Sequence, residues 1–143
     1  MNTRHYFLVI ALTVFVQSAS TVVFAQASAD VEREKTLIVS RLYQSTYGAK
    51  ERCRPSKEAS LSLGKAIKRF RLAYPELMRL VDQSPYLPTA RDQFKQFLAD
   101  PSAKISDEEL VQECQGLESM LLQFVDTPGA KDEMNKFVLL LKK

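Results

Sequence analysis

The sequence predicts an all-α fold: a single small helical bundle of five to six helices, pinned by one disulfide. Apolar residues recur at helical spacing in six segments, and no segment shows the alternation of a β-strand or the turn of a hairpin. Two cysteines follow an N-terminal stretch that is typical of export, where disulfides form. Because no internal repeat or long linker divides the chain, one bundle accounts for everything after that stretch.

Residues 1–25 are predicted to be a cleaved signal peptide. A basic start at Arg4 leads into the apolar run YFLVIALTVFV at 6–16, and polar residues follow it. Small residues then allow cleavage after Ala25 or after Ala27. This three-part layout is the one that signal peptidase recognises.

Cleavage would leave the helical domain 26–143 in an oxidising compartment, and the periplasm is the location we expect. Secretion further out and retention through an uncleaved N-terminal anchor are the alternatives, since about 20 apolar residues suffice to span a bilayer. The leader holds no cysteine, so a lipoprotein-type cleavage is not expected. After cleavage, no integral membrane segment is expected.

A basic connector separates the first two predicted helices. The first runs from about Ala29 to Tyr47, and Gly48 fits its stop position. The second spans about Lys57 to Ala73, with Ser56 as its N-cap. Its apolar stripe consists of Leu63, Ala66, Ile67, Phe70 and Ala73.

Prolines mark the breaks before the third and fourth helices. Tyr74-Pro75 ends the second helix because the residue before a proline avoids the helical region. The third helix covers Pro75 to Asp82, and a stiff turn follows at 84–88. The fourth covers about Thr89 to Ala99.

A capping box opens the longest helix. The Ser106 hydroxyl accepts a hydrogen bond from the amide of Glu109 while that carboxylate reaches back, and acidic residues suit the positive end of a helix dipole. The apolar stripe that follows consists of Leu110, Cys114, Leu117, Leu121 and Phe124. The last helix is predicted to start at Thr127-Pro128.

Cys53 and Cys114 are predicted to form a disulfide, because an even pair of cysteines in an oxidising compartment favours one. Two free thiols or an intermolecular bridge are the alternatives. The bond would close a loop of 61 residues, which the chain-entropy model values at roughly 4 kcal/mol. It would hold the basic connector, which carries Cys53, on the buried stripe of the fifth helix.

No catalytic residue, metal ligand or cofactor is predicted. His5 is the single histidine and leaves with the leader, which excludes Ser-His-Asp and Cys-His arrangements and a His-liganded zinc site. The four glycines stand too far apart for a phosphate-binding loop. Glu109 and Glu113 could form a carboxylate pair, but the helix dipole explains acidic residues there more simply.

Basic residues form the densest charge feature of the sequence. Residues 30–74 carry 11 Lys/Arg against 5 Asp/Glu, whereas residues 75–133 carry 5 against 12. A solvated face is the simplest explanation, an acidic protein partner is the functional one, and anionic lipid or glycan remains open. Nucleic acid is not expected, because no aromatic residue alternates with these charges. The candidate partner-binding residues are Lys50, Arg52, Arg54, Lys57, Lys65, Lys68 and Arg69.

Tyr86 and Leu87 are a second candidate for partner binding. They lie between Pro85 and Pro88, which would present them rigidly and lower the entropy cost of docking. The alternative is that both side chains pack down and close the corner between the third and fourth helices.

These features favour an exported, non-enzymatic interaction protein: an inhibitor, an immunity-type protein or a secretion or assembly adaptor with a periplasmic or envelope protein as partner. The alternative is a small helical carrier or chaperone that binds an apolar ligand or an unfolded chain, with Met78, Met120 and Met134 in its core. The outline resembles the helical pilotins of secretion systems in architecture, without a shared residue motif. The resemblance implies an adaptor that binds a partner helix in a groove.

Overall fold

The computed structural model describes residues 26–143, so the predicted signal peptide lies outside the described residues. The chain divides into two compact units, Met1–Glu34 and Lys35–Lys143. Of the first unit, residues 26–34 are described, and they are helical. The elements and sites discussed below belong to the second unit.

The second unit is helical throughout its elements, which confirms the predicted all-α bundle. Helix α1 combines helical residues 35–43, a π-helical turn at Gln44–Gly48 and a last turn at Ala49–Arg52. The other elements are α2 (Lys57–Ala73), α3 (Pro75–Asp82), α4 (Leu87–Ala99), a 3-10 turn (Pro101–Ala103), α5 (Asp107–Asp126) and α6 (Ala130–Leu141). No β-strand occurs between residues 26 and 143.

The predicted helix stop at Gly48 is wrong, because the chain remains helical there and continues to Arg52. Gly48 has φ −63° and ψ −43°, which are ordinary helical values. The glycine serves packing instead: a Cβ at this position would lie 2.9 Å from Cζ of Phe94. Glycine often ends a helix, which is why the sequence predicted a stop at Gly48. In the fold, the absence of a side chain at Gly48 allows α4 to pack close to α1.

Helices α2 and α5 form the central pair of the unit: among the elements between Gln44 and Leu141, their contact is the most extensive. Their partnership reaches the far end of α2, where the Tyr74 hydroxyl donates a hydrogen bond to the carbonyl of Phe124 at 2.5 Å. Each fully buried leucine or phenylalanine stabilises the fold by about 1.5–3 kcal/mol. The largest fully buried apolar side chains are Phe70, Leu63, Leu77, Met78, Leu121, Val39 and Val81.

The predicted disulfide is confirmed between Cys53 and Cys114. Its S–S distance is 2.06 Å, the two Cα atoms lie 6.0 Å apart, and both residues are fully buried. Cys53 follows the last turn of α1 directly and Cys114 lies in the first half of α5. The bond therefore attaches the end of α1 to the central helix pair.

The remaining helix ends follow local signals. The capping box is confirmed: the Glu109 amide donates to Ser106 Oγ at 3.2 Å, and the Ser106 amide donates to Glu109 Oε2 at 2.8 Å. The amide of Ser106 also lowers the pKa of the Glu109 carboxyl. Helix α4 begins at Leu87, two residues before the predicted Thr89, because a proline is tolerated in the first turn of a helix. The predicted start of the last helix at Thr127-Pro128 is wrong: α6 begins at Ala130, because Pro128 and Gly129 form a turn before it.

An exposed charge cluster ties the C-terminal end of the chain to α3. The carboxylate of Glu76 accepts from Arg79 at 2.9 Å and pairs with Lys142 at 3.0 Å. Hydrogen bonds from Arg79 and then Lys142 lower the pKa of Glu76 to about 2. The cluster is open to solvent, so salt screens it.

Gly48 and Gly64, which both lie in helices, give a matched test of the close packing between α1 and Phe94 of α4. Gly48→Ala is expected to lower the free energy of unfolding by about 1–3 kcal/mol through overpacking against Phe94, whose buried ring also contacts Tyr43 at a centroid distance of 6.0 Å. Gly64→Ala is expected to raise it by about 0.5–1 kcal/mol, because alanine favours a helix and no atom lies within 4 Å of the new Cβ. Urea denaturation followed by circular dichroism measures both.

Gly116→Ala in α5 is the control, since its Cβ also meets nothing within 4 Å. If Gly48→Ala were as stable as Gly64→Ala and Gly116→Ala, the Phe94 ring would be free to move away from residue 48. Close packing against Phe94 would then not explain why a glycine occupies this position in α1.

Candidate functional site

Five of the predicted partner-binding residues meet in one shallow depression of about 500 Å³. We call it the basic surface. It consists of the basic residues Lys50, Arg54, Lys57, Lys65 and Lys68, together with Ser60, Leu61 and Gly64. All five basic side chains are exposed.

The helical repeat of α2 separates its buried face from the basic surface. The buried face packs in the core and consists of Ala59, Leu63, Ala66, Ile67 and Phe70. On α2, Lys57, Leu61, Lys65 and Lys68 follow one another at intervals of three or four residues, with Ser60 and Gly64 beside them, so these members share the outer face. The packing of α2 on α5 thus exposes this face.

Lys50 and Arg54 belong to the segment around Cys53, and they line the same depression. Lys50 lies in the last turn of α1, and Arg54 directly follows Cys53. Because Cys53 is bonded to α5, the segment that carries these two cations is held beside the start of α2. The disulfide therefore helps to position the basic surface.

The charges of the basic surface are not neutralised by the fold. Within residues 26–143, none of its five cations forms an ion pair. Leu61 lies among them with 67% of its surface exposed, and nothing stands within 4 Å of a Cβ built on Gly64. The depression thus combines an apolar centre, room for an approaching chain and a positive rim.

Arg52, also predicted to bind a partner, is turned into the fold. Its side chain is only 11% exposed, and its Nε donates to Glu113 Oε1 at 2.8 Å. Its Nη2 donates to Glu113 Oε2 and to the carbonyl of Ala103, and its guanidinium lies 5.2 Å from the Phe97 ring centroid. This arginine joins the end of α1 to α4 and α5.

The other predicted residues also lie outside the basic surface. Arg69 pairs with Asp126 of α5 at 2.8 Å. Tyr86 and Leu87 are half-buried and pack against the core at the start of α4. The structure therefore brings together five of the nine predicted residues and leaves these three and Arg52 elsewhere.

A neighbouring arginine shows how the fold neutralises charge where α2 meets α1 and α3. Arg71 donates to the Tyr47 hydroxyl and pairs with Asp82 at 3.1 Å, while that hydroxyl donates to Asp82 Oδ1. Burial, followed by the hydrogen bond to Asp82, raises the pKa of Tyr47, and the hydrogen bond to Tyr47 raises the pKa of Arg71. This cluster links three helices and leaves little charge for a partner.

An apolar cavity of about 310 Å³ lies where α1, α2, α5 and α6 meet. The sequence suggested an apolar ligand as the alternative, with Met120 and Met134 in the core, but it did not locate this cavity. Two polar residues, Arg41 and Ser45, line it. The rest of the lining is apolar: Ile38, Leu42, Phe70, Met120, Leu121, Phe124, Met134 and Phe137. Phe70, Leu121 and Phe124 belong to the predicted apolar stripes, but a stripe does not show where side chains from four helices leave a gap.

A second cavity of about 360 Å³ adjoins the first, and Ser45 and Met120 line both. Its wall includes Phe94 and Phe97 and the paired charges of Arg52 and Glu113. Because those charges already satisfy each other, this cavity offers a ligand less unpaired charge than the basic surface.

No protein-family model, no curated protein and no solved structure matches this chain. In the described part, no cluster of His, Cys, Asp and Glu suits a metal ion. Among the helices of residues 26–143, none is long and apolar enough to cross a membrane. The geometry of the basic surface and of the apolar cavity is therefore the basis for the proposals that follow.

Proposed function

We propose that the protein is exported to the periplasm and acts without catalysis, by binding an acidic segment of a periplasmic or envelope protein through the basic surface. An inhibitor, an immunity-type protein and an assembly adaptor all work in this way. The observation that carries the proposal is a set of five exposed cations around an exposed leucine, none of which forms an ion pair within residues 26–143. Arg52, Arg69 and Arg71, in contrast, pair with carboxylates of the fold.

A protein partner fits these contacts better than nucleic acid or a lipid bilayer does. The basic surface holds no aromatic side chain on which a nucleic-acid base could stack. A bilayer surface is flat, whereas these residues line a depression that suits a ridge such as a helix or an extended segment. Protein interfaces combine an apolar centre with a polar rim, which Leu61 and the surrounding cations reproduce.

The charges would contribute mainly to the rate and specificity of association. An exposed ion pair contributes about 0.2–1 kcal/mol, and a positive patch speeds the encounter with an acidic partner at low salt. Burial of Leu61 by the partner would add about 1.5–3 kcal/mol. Binding should therefore weaken as the ionic strength rises.

Charge reversal tests the proposal. The triple variant Lys57→Glu, Lys65→Glu, Lys68→Glu is expected to lose an acidic protein that the wild-type domain captures from periplasmic extract and releases in salt. The three lysines are exposed, so the unfolding free energy should change by about 0.5 kcal/mol or less per site.

The matched control is Lys95→Glu, Lys104→Glu, Lys131→Glu, which makes the same change in net charge at exposed lysines outside the basic surface. It should keep the partner. Capture of the same protein by the first triple variant, or loss of that protein in both variants, would contradict docking at the basic surface.

Export is tested separately by the intact mass of the chain recovered by osmotic shock after expression of the full sequence. We expect a chain that begins at Gln26 or Ser28, because small residues precede both positions. Recovery of a chain that retains Met1, in the membrane or the cytoplasm, would contradict this part of the proposal.

A further inference from the structure

We propose that the apolar cavity between α1, α2, α5 and α6 binds a medium-chain fatty carboxylate, with the hydrocarbon chain inside and the carboxylate on Arg41. No residue lines both this cavity and the basic surface. The site is thus independent of the proposed docking of a protein partner, and either can exist without the other.

The cavity extends into the core and is more than an uncovered helix face. Leu42, Phe70, Leu121 and Met134 are buried and form its deep part, while Met120, Phe124 and Phe137 are half-buried. Its volume of about 310 Å³ lies at the lower end of the range for small-molecule sites, about 300–1,000 Å³. A small ligand therefore fits better than a folded partner.

The lining determines the chemistry of the buried part of the ligand. Among the described residues, no buried side-chain nitrogen or oxygen lacks a hydrogen-bond partner. The interior thus offers nothing to a polar group, which would lose its water without compensation. A hydrocarbon chain carries no such group, and the flexible side chains of Met120 and Met134 can adapt to it.

The mouth of the cavity determines the head group. Arg41 is exposed and forms no ion pair within the described part of the chain. The Ser45 hydroxyl donates to the carbonyl of Arg41 at 2.8 Å, so its hydrogen is already used. The free guanidinium presents a planar set of donors that matches a carboxylate in two parallel hydrogen bonds.

The volume also suggests the length of the chain. A cavity of about 310 Å³ lies at the lower end of the volumes that hold small molecules, so a chain of medium length is the one to test. Decanoate is the matching probe. Each methylene removed between decanoate and hexanoate should weaken binding by about fourfold.

Isothermal titration calorimetry with decanoate, kept below its critical micelle concentration, tests the inference on residues 26–143. Wild type should bind decanoate more tightly than decan-1-ol, which has the same chain without the charge. Arg41→Gln should weaken decanoate binding by about tenfold, the equivalent of one charge-assisted hydrogen bond, and leave decan-1-ol unchanged.

Arg91→Gln is the matched control, because Arg91 is an exposed arginine on α4 that does not line the cavity. It should bind like wild type. Met120→Trp narrows the cavity from its half-buried wall and should weaken the binding of both probes while the helical circular dichroism is retained. If that variant loses helicity, Arg41→Gln decides alone.

Absence of decanoate binding to wild type would overturn the inference. So would equal binding of decanoate and decan-1-ol, or equal binding by wild type and Arg41→Gln, because both results would remove the carboxylate from the site. None of these results bears on the basic surface, so failure here and failure of the proposed function are distinguishable.

Discussion

The pairing of α2 with α5 is the constraint on which the other features of the second unit depend. The Cys53–Cys114 disulfide holds one end of this arrangement, and the hydrogen bond from Tyr74 to the carbonyl of Phe124 holds the other. With its apolar face committed to the core, α2 must expose the opposite face, which carries three cations of the basic surface. The disulfide adds Lys50 and Arg54, because they flank Cys53 in the chain. The packing of α2 on α5 therefore stabilises the fold and also places these cations on its surface.

The functional proposal rests on a difference between two groups of basic residues: one group forms ion pairs within the described fold, and the other does not. Arg52, Arg69 and Arg71 reach carboxylates on other helices and join elements together. The lysines of the basic surface have no such partner within residues 26–143. An uncompensated cluster of like charges is unfavourable in the isolated fold. An acidic partner would remove that cost.

The sequence predicted the features that depend on neighbouring residues. The break at Tyr74-Pro75 and the capping box of Ser106 and Glu109 follow from local chemistry. The disulfide joins residues 61 positions apart, and it was predictable because the sequence holds a single pair of cysteines. Gly48 was misassigned because Phe94, 46 positions away, decides how that glycine is used. Lys50 and Arg52 look alike in the sequence, yet only Arg52 meets Glu113, which lies 61 positions further on. The apolar cavity was missed for the same reason, since a gap between four helices leaves no mark on the periodicity of any one of them.

The most direct measurement is a titration of the isotope-labelled domain with an acidic helical peptide that repeats Glu and Leu at i, i+4 spacing, followed by amide NMR shifts. If the exposed face of α2 is the docking surface, the shifts will concentrate at Lys50, Arg54 and residues 57–68, and they will fade as salt is added. A peptide with lysine in place of glutamate will cause none. Equal shifts around Lys95, Lys104 and Lys131 would show that the protein responds to charge anywhere on its surface, and docking at the basic surface would be refuted.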